Sequence, residues 1–182
     1  MTYTLATFYD DCRASLTADP GERGQEAVRA HLERLLKAPA DLHARLGPAP
    51  KPGRHPLHVD PATGMHVFCH VYAKAGISKA HDHGPCWIIY GNVTGHTDMV
   101  EWERDDDGRE AGVARLTETR RYRVGAGQAV LFKTGAIHET SHPEGASMLV
   151  RVISGDMDKV WRHTFDPASG RVKDRPPRPE AD

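Results

Sequence analysis

Residues 65–72 read MHVFCHVY, a stretch in which the side chains change character with a period of two. This period is typical of a β-strand that buries one face. Further β-prone segments follow at residues 87–90, 97–103, 113–117, 121–124, 128–132 and 147–153. Short strands at close spacing, separated by turn residues, predict an antiparallel sandwich or barrel.

The chain before this region has helical periodicity instead. Apolar residues recur every three or four positions in two stripes, the first being Leu5, Phe8, Tyr9, Cys12 and Leu16 and the second Val28, Leu32, Leu35 and Leu36. These stripes predict two amphipathic helices, and a short third helix is expected over residues 40–46. We therefore expect a helical segment over residues 1–47 and a barrel over residues 55–166. The proline- and charge-rich residues 167–182 are expected to form a disordered tail.

The composition excludes several function classes. The chain has 182 residues, which is enough for one domain. Its net charge of −1 gives no indication of a nucleic-acid or membrane-surface partner. The sequence has no long apolar stretch and its start lacks the pattern of a signal peptide, so a cytoplasmic protein is expected. Its three cysteines have no paired spacing and predict no disulfide framework.

Histidine spacing provides the first chemical clue. His81 and His83 are two residues apart, and on a strand such side chains point to the same face and can share one metal ion. With twelve histidines in the chain, one such pair is also expected by chance, and a polar strand end would carry it equally well. Downstream, a β-prone segment ends in a glycine turn that presents a third histidine, His138.

Together the two blocks resemble the paired motifs of the cupin superfamily. The matching positions are Gly76, His81 and His83 in the first block and Gly127, Gly135 and His138 in the second. Gly76 is one residue closer to the histidine pair than in the usual motif, Lys133 replaces a proline, and His142 stands where the motif has asparagine. The resemblance covers about residues 65–155. It implies a cupin double-stranded β-helix, that is, a jelly-roll barrel, with a metal ion on His81, His83 and His138.

The first shell departs from the common cupin pattern in one respect. The motif's glutamate would fall at Trp87 or Ile88, neither of which binds metal. The remaining three-histidine set is similar to that of the thiol dioxygenases, which also have a helical N-terminal layer. This resemblance implies Fe(II), with Zn, Ni or Mn as alternatives. It also implies that dioxygen oxidises a small thiol acid to a sulfinate.

Other positions separate this chain from those enzymes. On a late strand the thiol dioxygenases carry a histidine and a tyrosine, where this chain has Leu149 and Arg151. We therefore predict no cysteine–tyrosine cross-link. Arg151 or Arg54 is the candidate anchor for a substrate carboxylate, because a guanidinium binds carboxylates through two parallel hydrogen bonds.

Four more side chains are candidates for the site. Tyr90 is expected either in the barrel core or with its hydroxyl at a bound substrate. His142 is expected either to orient a ligand or relay a proton, or to lie exposed in a loop. Whether Cys86 or Glu101 takes part is left open.

Three functions follow from these predictions. The first is an Fe(II) dioxygenase acting on a small, anionic thiol. The second is another metal-dependent cupin enzyme, such as a carbon–carbon-cleaving dioxygenase or an isomerase. The third is a non-catalytic cupin that binds a small molecule or senses a metal, since one fold supports many functions. Either a monomer or a homodimer is compatible with the sequence.

Overall fold

A computed structural model of the chain describes residues 3–142 and 147–178. Three helices come first: α1 (Leu5–Ala18), α2 (Glu22–Leu36) and α3 (Ala40–Leu46). The strands that follow are β1 (Gly53–Val59), β2 (His66–Tyr72), β3 (Gly76–Ile77), β4 (Ile88–Thr94), β5 (His96–Arg104), β6 (Leu116–Gly125), β7 (Ala129–Phe132), β8 (Ile137–His142), β9 (Ser147–Ile153), β10 (Arg162–Asp166) and β11 (Arg171–Arg175). A short 3-10 helix, Met157–Lys159, precedes β10. Among the described residues, no helix is long and apolar enough to cross a membrane.

The strand order shows a jelly roll. One sheet has the order β1-β2-β9-β4-β7 and the other β3-β8-β5-β6, and their paired strands run antiparallel. Strands β2 to β9 are therefore divided between two sheets in the interleaved order of an eight-stranded double Greek key, the architecture of cupins. The predicted fold class, a mainly β jelly-roll barrel with an N-terminal helical layer, is confirmed.

The helices cover the outer face of the five-stranded sheet. The apolar stripes of α1 and α2 are buried against alternate residues of the central strands, among them Val67, Val150 and Val152. Gly91 of β4 lies directly under α2, and a Cβ atom there would come within 2.5 Å of Leu36 Cδ1. Its missing side chain lets helix and sheet approach closely.

A second apolar cluster fills the space between the two sheets. Its fully buried members include Ile88 and Tyr90 from one sheet and Met99 from the other. Because side chains alternate across a strand, residues 149, 151 and 153 of β9 face this interior while 148, 150 and 152 face the helices. Arg151 therefore points into the barrel.

The chain around the barrel differs from the sequence prediction in several places. β1 begins at Gly53, two residues before the expected start of the barrel, and β3 was not predicted. The expected strands 113–117 and 121–124 give way to the single strand β6. Most importantly, β10 and β11 form an antiparallel hairpin where a disordered tail was expected from residue 167. The backbone of β11 is paired with β10 over residues 171–175, and Val172 packs against the cluster that contains Phe165. Residues 179–182 of that tail lie outside the described part of the chain.

Candidate metal centre

Two chain segments meet at the histidines. His81 lies between β3 and β4, and its backbone exchanges two hydrogen bonds, of 2.9 and 3.0 Å, with that of His138 on β8. His81 also forms an isolated bridge with Thr164 of β10. The His81–His83 pair therefore lies in a loop that is held by β8 and β10, rather than on a regular strand as predicted.

The three imidazoles converge on one point. Their ring centroids lie 4.9 Å (His81–His83), 4.7 Å (His81–His138) and 4.9 Å (His83–His138) apart. One nitrogen of each ring lies within 4.8 Å of one nitrogen of each of the others. The Nε2 atoms of His83 and His138 are 3.2 Å apart. Two nitrogens at about 2.1 Å from one ion, at tetrahedral or octahedral angles, would be about 3.0–3.4 Å apart. The geometry fits a shared metal ion.

The protonation states also fit a metal ion. His83 and His138 are only 2% and 0% exposed. Burial lowers the pKa of both imidazoles well below its usual value, and it lowers the pKa of His81 to about 4. All three are therefore neutral near pH 7, with a lone pair available for a metal. His81 Nδ1 donates a hydrogen bond of 2.8 Å to the carbonyl of Lys79, which leaves its Nε2 as the ligand atom.

The two buried ligands lack the outer hydrogen bonds that usually orient a metal-binding histidine. In metal centres the second ring nitrogen of a ligating histidine is usually held by a carboxylate or carbonyl. The Nδ1 atoms of His83 and His138 have no hydrogen-bond partner among the described residues. The orientation of these two rings therefore depends on packing, such as that of Phe132, whose ring centroid lies 3.9 Å from that of His138.

Tyr90 lies in direct contact with the two buried ligands. Its hydroxyl oxygen is 3.2 Å from His83 Nε2 and 3.3 Å from His138 Nε2. Burial raises the pKa of this phenol, so it keeps its proton at neutral pH. The ring of Tyr90 belongs to the barrel core, as one of the two interpretations expected, and its hydroxyl lies beside two of the candidate metal ligands.

Arg151 brings positive charge into the barrel. Its guanidinium carbon lies 4.7 Å from the ring centroid of Tyr90, its cross-strand neighbour. Its Nε is buried without a hydrogen-bond partner, and Arg151 forms no ion pair with any residue in the described part of the chain. The charge of Arg151 contributes, after burial, to the low pKa of several neighbouring histidines.

A cavity opens beside His81. It has a volume of about 480 Å³, and its lining includes Lys79, Arg151 and Arg175 together with His81 and His142. No carboxylate belongs to this lining. We call it the metal-side cavity, because His81 connects it to the histidine triad. Its electrostatics favour an anion.

His142 is buried in β8, so the expectation of an exposed loop residue is wrong. Its ring stacks on Tyr72 at 4.0 Å between centroids, and its Nδ1 lies 3.3 Å from the hydroxyl of Thr97. That hydroxyl donates to the side-chain carbonyl of Asn92. Burial, aided by Arg151, lowers the pKa of His142 to about 4. The residue lines the metal-side cavity as a neutral imidazole.

Asp82 is a residue that the sequence analysis missed. Its carboxylate accepts hydrogen bonds from the backbone of His163 (2.8 Å) and Gly84 (3.2 Å) and lies 2.6 Å from His163 Nδ1. Asp82 therefore fixes the loop between the two ligands His81 and His83 to β10. Its position between two histidines was visible in the sequence, but its partner His163, 81 positions later in the chain, was not.

Other candidates lie apart from the triad. Glu101 pairs with His138 in the β5–β8 register, but it is not among the three grouped ligands, and its carboxylate lies 4.0 Å from Arg120. Cys86 is buried among apolar residues, and burial raises the pKa of its thiol. Arg54 pairs with Asp158 and does not line the metal-side cavity.

Comparisons with known proteins found only distant structural similarities. No protein-family model matches the sequence, and no curated protein matches it either. Oxalate oxidase in complex with glycolate is 16% identical over 57% of this chain and 50% of its own, with a TM-score of 0.43. KdgF from Halomonas sp. is 16% identical over 57% and 77%, with a TM-score of 0.43. The Cupin_2 domain of an XRE family transcriptional regulator from Enterobacter cloacae is 15% identical over 57% and 96%, with a TM-score of 0.41. The match therefore spans half the length of the oxalate oxidase chain, and the fold assignment rests on the strand order.

Proposed function

We propose that this protein is a metal-dependent cupin enzyme, a non-haem Fe(II) dioxygenase that acts on a small thiol acid. The observation that carries the proposal is a ligand group of three neutral imidazoles beside a cavity with only cationic charge in its lining. His81, His83 and His138 would hold the ion. Iron is favoured by the resemblance of this ligand set to that of the thiol dioxygenases, because imidazole itself also suits Zn, Ni and other metals.

Charge balance supports an anionic substrate. Three neutral ligands leave the full charge of a divalent ion uncompensated, and a thiolate is well suited to neutralise it. Lys79, Arg151 and Arg175 add positive charge on the side from which a substrate would enter. A small acid with a thiol and a carboxylate would supply a thiolate for the metal ion and a carboxylate for the cationic lining of the cavity.

Fe(II), when bound, would supply the redox chemistry by which dioxygen adds both of its oxygen atoms to a thiol sulfur, giving a sulfinate. The chain's own residues would position the substrate. Arg151 would orient the carboxylate through its guanidinium, which has no carboxylate partner among the described residues.

Two further residues are proposed to assist. Tyr90 would donate a hydrogen bond toward the reacting groups, since its hydroxyl is protonated and lies at 3.2 and 3.3 Å from two of the ligand nitrogens. His142 would orient a ligand at the cavity wall, because its imidazole is neutral near pH 7 and its ring is fixed by Tyr72 and Thr97, whereas its pKa of about 4 makes it a weak proton acceptor.

Oxygen consumption tests this function. Protein loaded anaerobically with Fe(II) is mixed with a panel of small thiol acids and with matched acids that lack the thiol, and the sulfinate product is identified by mass spectrometry. We expect oxygen uptake with at least one thiol acid, and a loss of at least about tenfold in kcat/KM for Arg151→Gln. The matched control is Arg109→Gln, which changes an exposed arginine paired with Asp107 and should leave activity unchanged.

The outcome also decides between the alternatives. No uptake with any thiol, from protein shown to contain iron, would refute thiol oxidation. Turnover of an acid without a thiol would favour another metal-dependent cupin enzyme. Binding of acids without turnover would favour a non-catalytic cupin.

A further inference from the structure

A second cavity lies on the other side of Arg151. Its volume is about 360 Å³, and four arginines contribute to its lining: Arg54, Arg151, Arg162 and Arg178. None of the three candidate metal ligands lines it. We call it the arginine cavity. It lies outside the site described above, although Arg151 belongs to both cavities.

The charges in this lining do not balance. The acidic residues in it are Asp156 and Asp158. Asp158 pairs with Arg54 at 3.5 Å and with Arg178 at 3.3 Å. Asp156 accepts the backbone N–H of Asp158 at 2.9 Å, as the N-cap of the 3-10 helix. Four guanidinium groups against two carboxylates leave two excess positive charges.

The excess charge is carried by Arg162, which is buried, and by Arg151, which is partly buried. Arg162 is only 9% exposed, and its Nε has no hydrogen-bond partner among the described residues. The same holds for the Nε of Arg151. Burial also lowers the pKa of Arg162, with a further contribution from Arg175. A buried guanidinium without a counter-ion is costly, so folded proteins normally give it an anionic partner. Neither arginine has one in the described part of the chain.

The rest of the wall indicates what kind of anion fits. Phe68, Ile153 and Met157 give the cavity an apolar side. His70 also lines the cavity, and its buried Nε2 has no hydrogen-bond partner in the described segments. A ligand here would meet both guanidinium groups and apolar side chains, and the guanidinium carbon of Arg54 lies 4.9 Å from the ring centroid of Phe68.

We propose that the arginine cavity binds a small organic dianion, namely a phosphate monoester with an apolar group, with the phosphate held by Arg162 and Arg151. A phosphate monoester carries a charge close to −2 at neutral pH, which matches the two excess positive charges. Its oxygens accept bidentate hydrogen bonds from guanidinium groups. Its apolar part contacts Phe68 and Ile153. This binding requires no metal ion and goes beyond the proposed oxygenase reaction.

Calorimetric titration of metal-free protein tests this site with phenyl phosphate, inorganic phosphate and benzoate. Phenyl phosphate combines both features of the proposed ligand, whereas inorganic phosphate lacks the apolar group and benzoate lacks the second charge. We expect phenyl phosphate to bind most tightly, and we expect Arg162→Gln to weaken its binding by at least about tenfold. The matched control Arg109→Gln should bind as the unchanged protein does.

Two further variants make the result decisive. Arg178→Gln alters an exposed member of the cavity lining and replaces Arg162→Gln if that variant does not fold, as judged by circular dichroism. It should weaken binding about threefold. His138→Ala removes a metal ligand and should leave the binding of phenyl phosphate unchanged. The proposal is overturned if no anion binds at millimolar concentration, if folded Arg162→Gln binds normally, or if binding is lost in His138→Ala.

Discussion

Replacing Asp82 by alanine tests how the metal centre is held in place. Asp82 is buried between two ligands, and its carboxylate connects their loop to β10 through contacts with His163 and Gly84. The substitution removes the acceptor of three hydrogen bonds and leaves two backbone N–H groups without this partner. At about 1 kcal/mol for each hydrogen bond, the free energy of unfolding should fall by about 3 kcal/mol.

The same substitution should weaken metal binding. His81 and His83 flank Asp82, and without its carboxylate their loop loses its attachment to β10. Residues that position metal ligands typically contribute about 10–100-fold to metal affinity, and we expect a loss in this range. Urea denaturation of the metal-free protein measures the first effect, and equilibrium dialysis with Zn²⁺ measures the second.

Asp166→Ala is the matched control. Asp166 also accepts two backbone N–H groups, those of Ala168 and Ser169, but it is the exposed last residue of β10. Water can replace these hydrogen bonds, so we expect a loss below about 1 kcal/mol and unchanged metal affinity. If Asp82→Ala bound metal as tightly as this control does, our account of how the ligand loop is positioned would be refuted.

Three further predictions concern packing, protons and metal. Gly91→Ala should destabilise the protein by about 1–3 kcal/mol, because its Cβ would meet Leu36, whereas Gly76→Ala, with open space around it, should change stability little; urea denaturation compares the two. Since burial lowers the pKa of His83 and His138 below 6.5, the unfolded metal-free chain binds more protons than the folded one. Stability should therefore fall as the pH drops below about 6.5, by up to about 1.4 kcal/mol per pH unit for each histidine. Equal urea midpoints at pH 7.5 and 5.5 would contradict this. Saturating Zn²⁺ should raise the melting temperature at pH 7.5, and a His83→Gln variant should lose most of that increase.

Periodicity and motif spacing predicted the framework of this protein well. The apolar stripes of α1 and α2 and the alternating residues of β2 and β5 are strong signals, because each buries one face, and β9 stands out as a short apolar run that is buried on both faces. The convergence of His81, His83 and His138 followed from two motif blocks whose spacing resembles that of cupins. These features depend on residues near one another in the sequence, or on a recurring motif.

What the sequence did not predict depends on partners distant in the chain. The charged residues 171–175 have no apolar alternation, yet they form a strand because β10 offers them a backbone to pair with. Asp82 and Arg162 appear unremarkable in the sequence; their roles become visible only when the β10–β11 hairpin lies against the ligand loop and the barrel interior. The burial of His142 likewise depends on Tyr72, a residue 70 positions earlier.

The metal content of the protein tests the convergence of the three imidazoles most directly. The protein is saturated with Fe(II) or Zn²⁺ and dialysed, and the bound metal is then counted by mass spectrometry for the unchanged chain, for His81→Ala and for His138→Ala. We predict about one ion per chain in the unchanged protein and less than a tenth of that in either variant, with the circular dichroism of a folded barrel retained. An unchanged protein that holds no metal, or folded variants that hold as much as it does, would contradict the proposed centre.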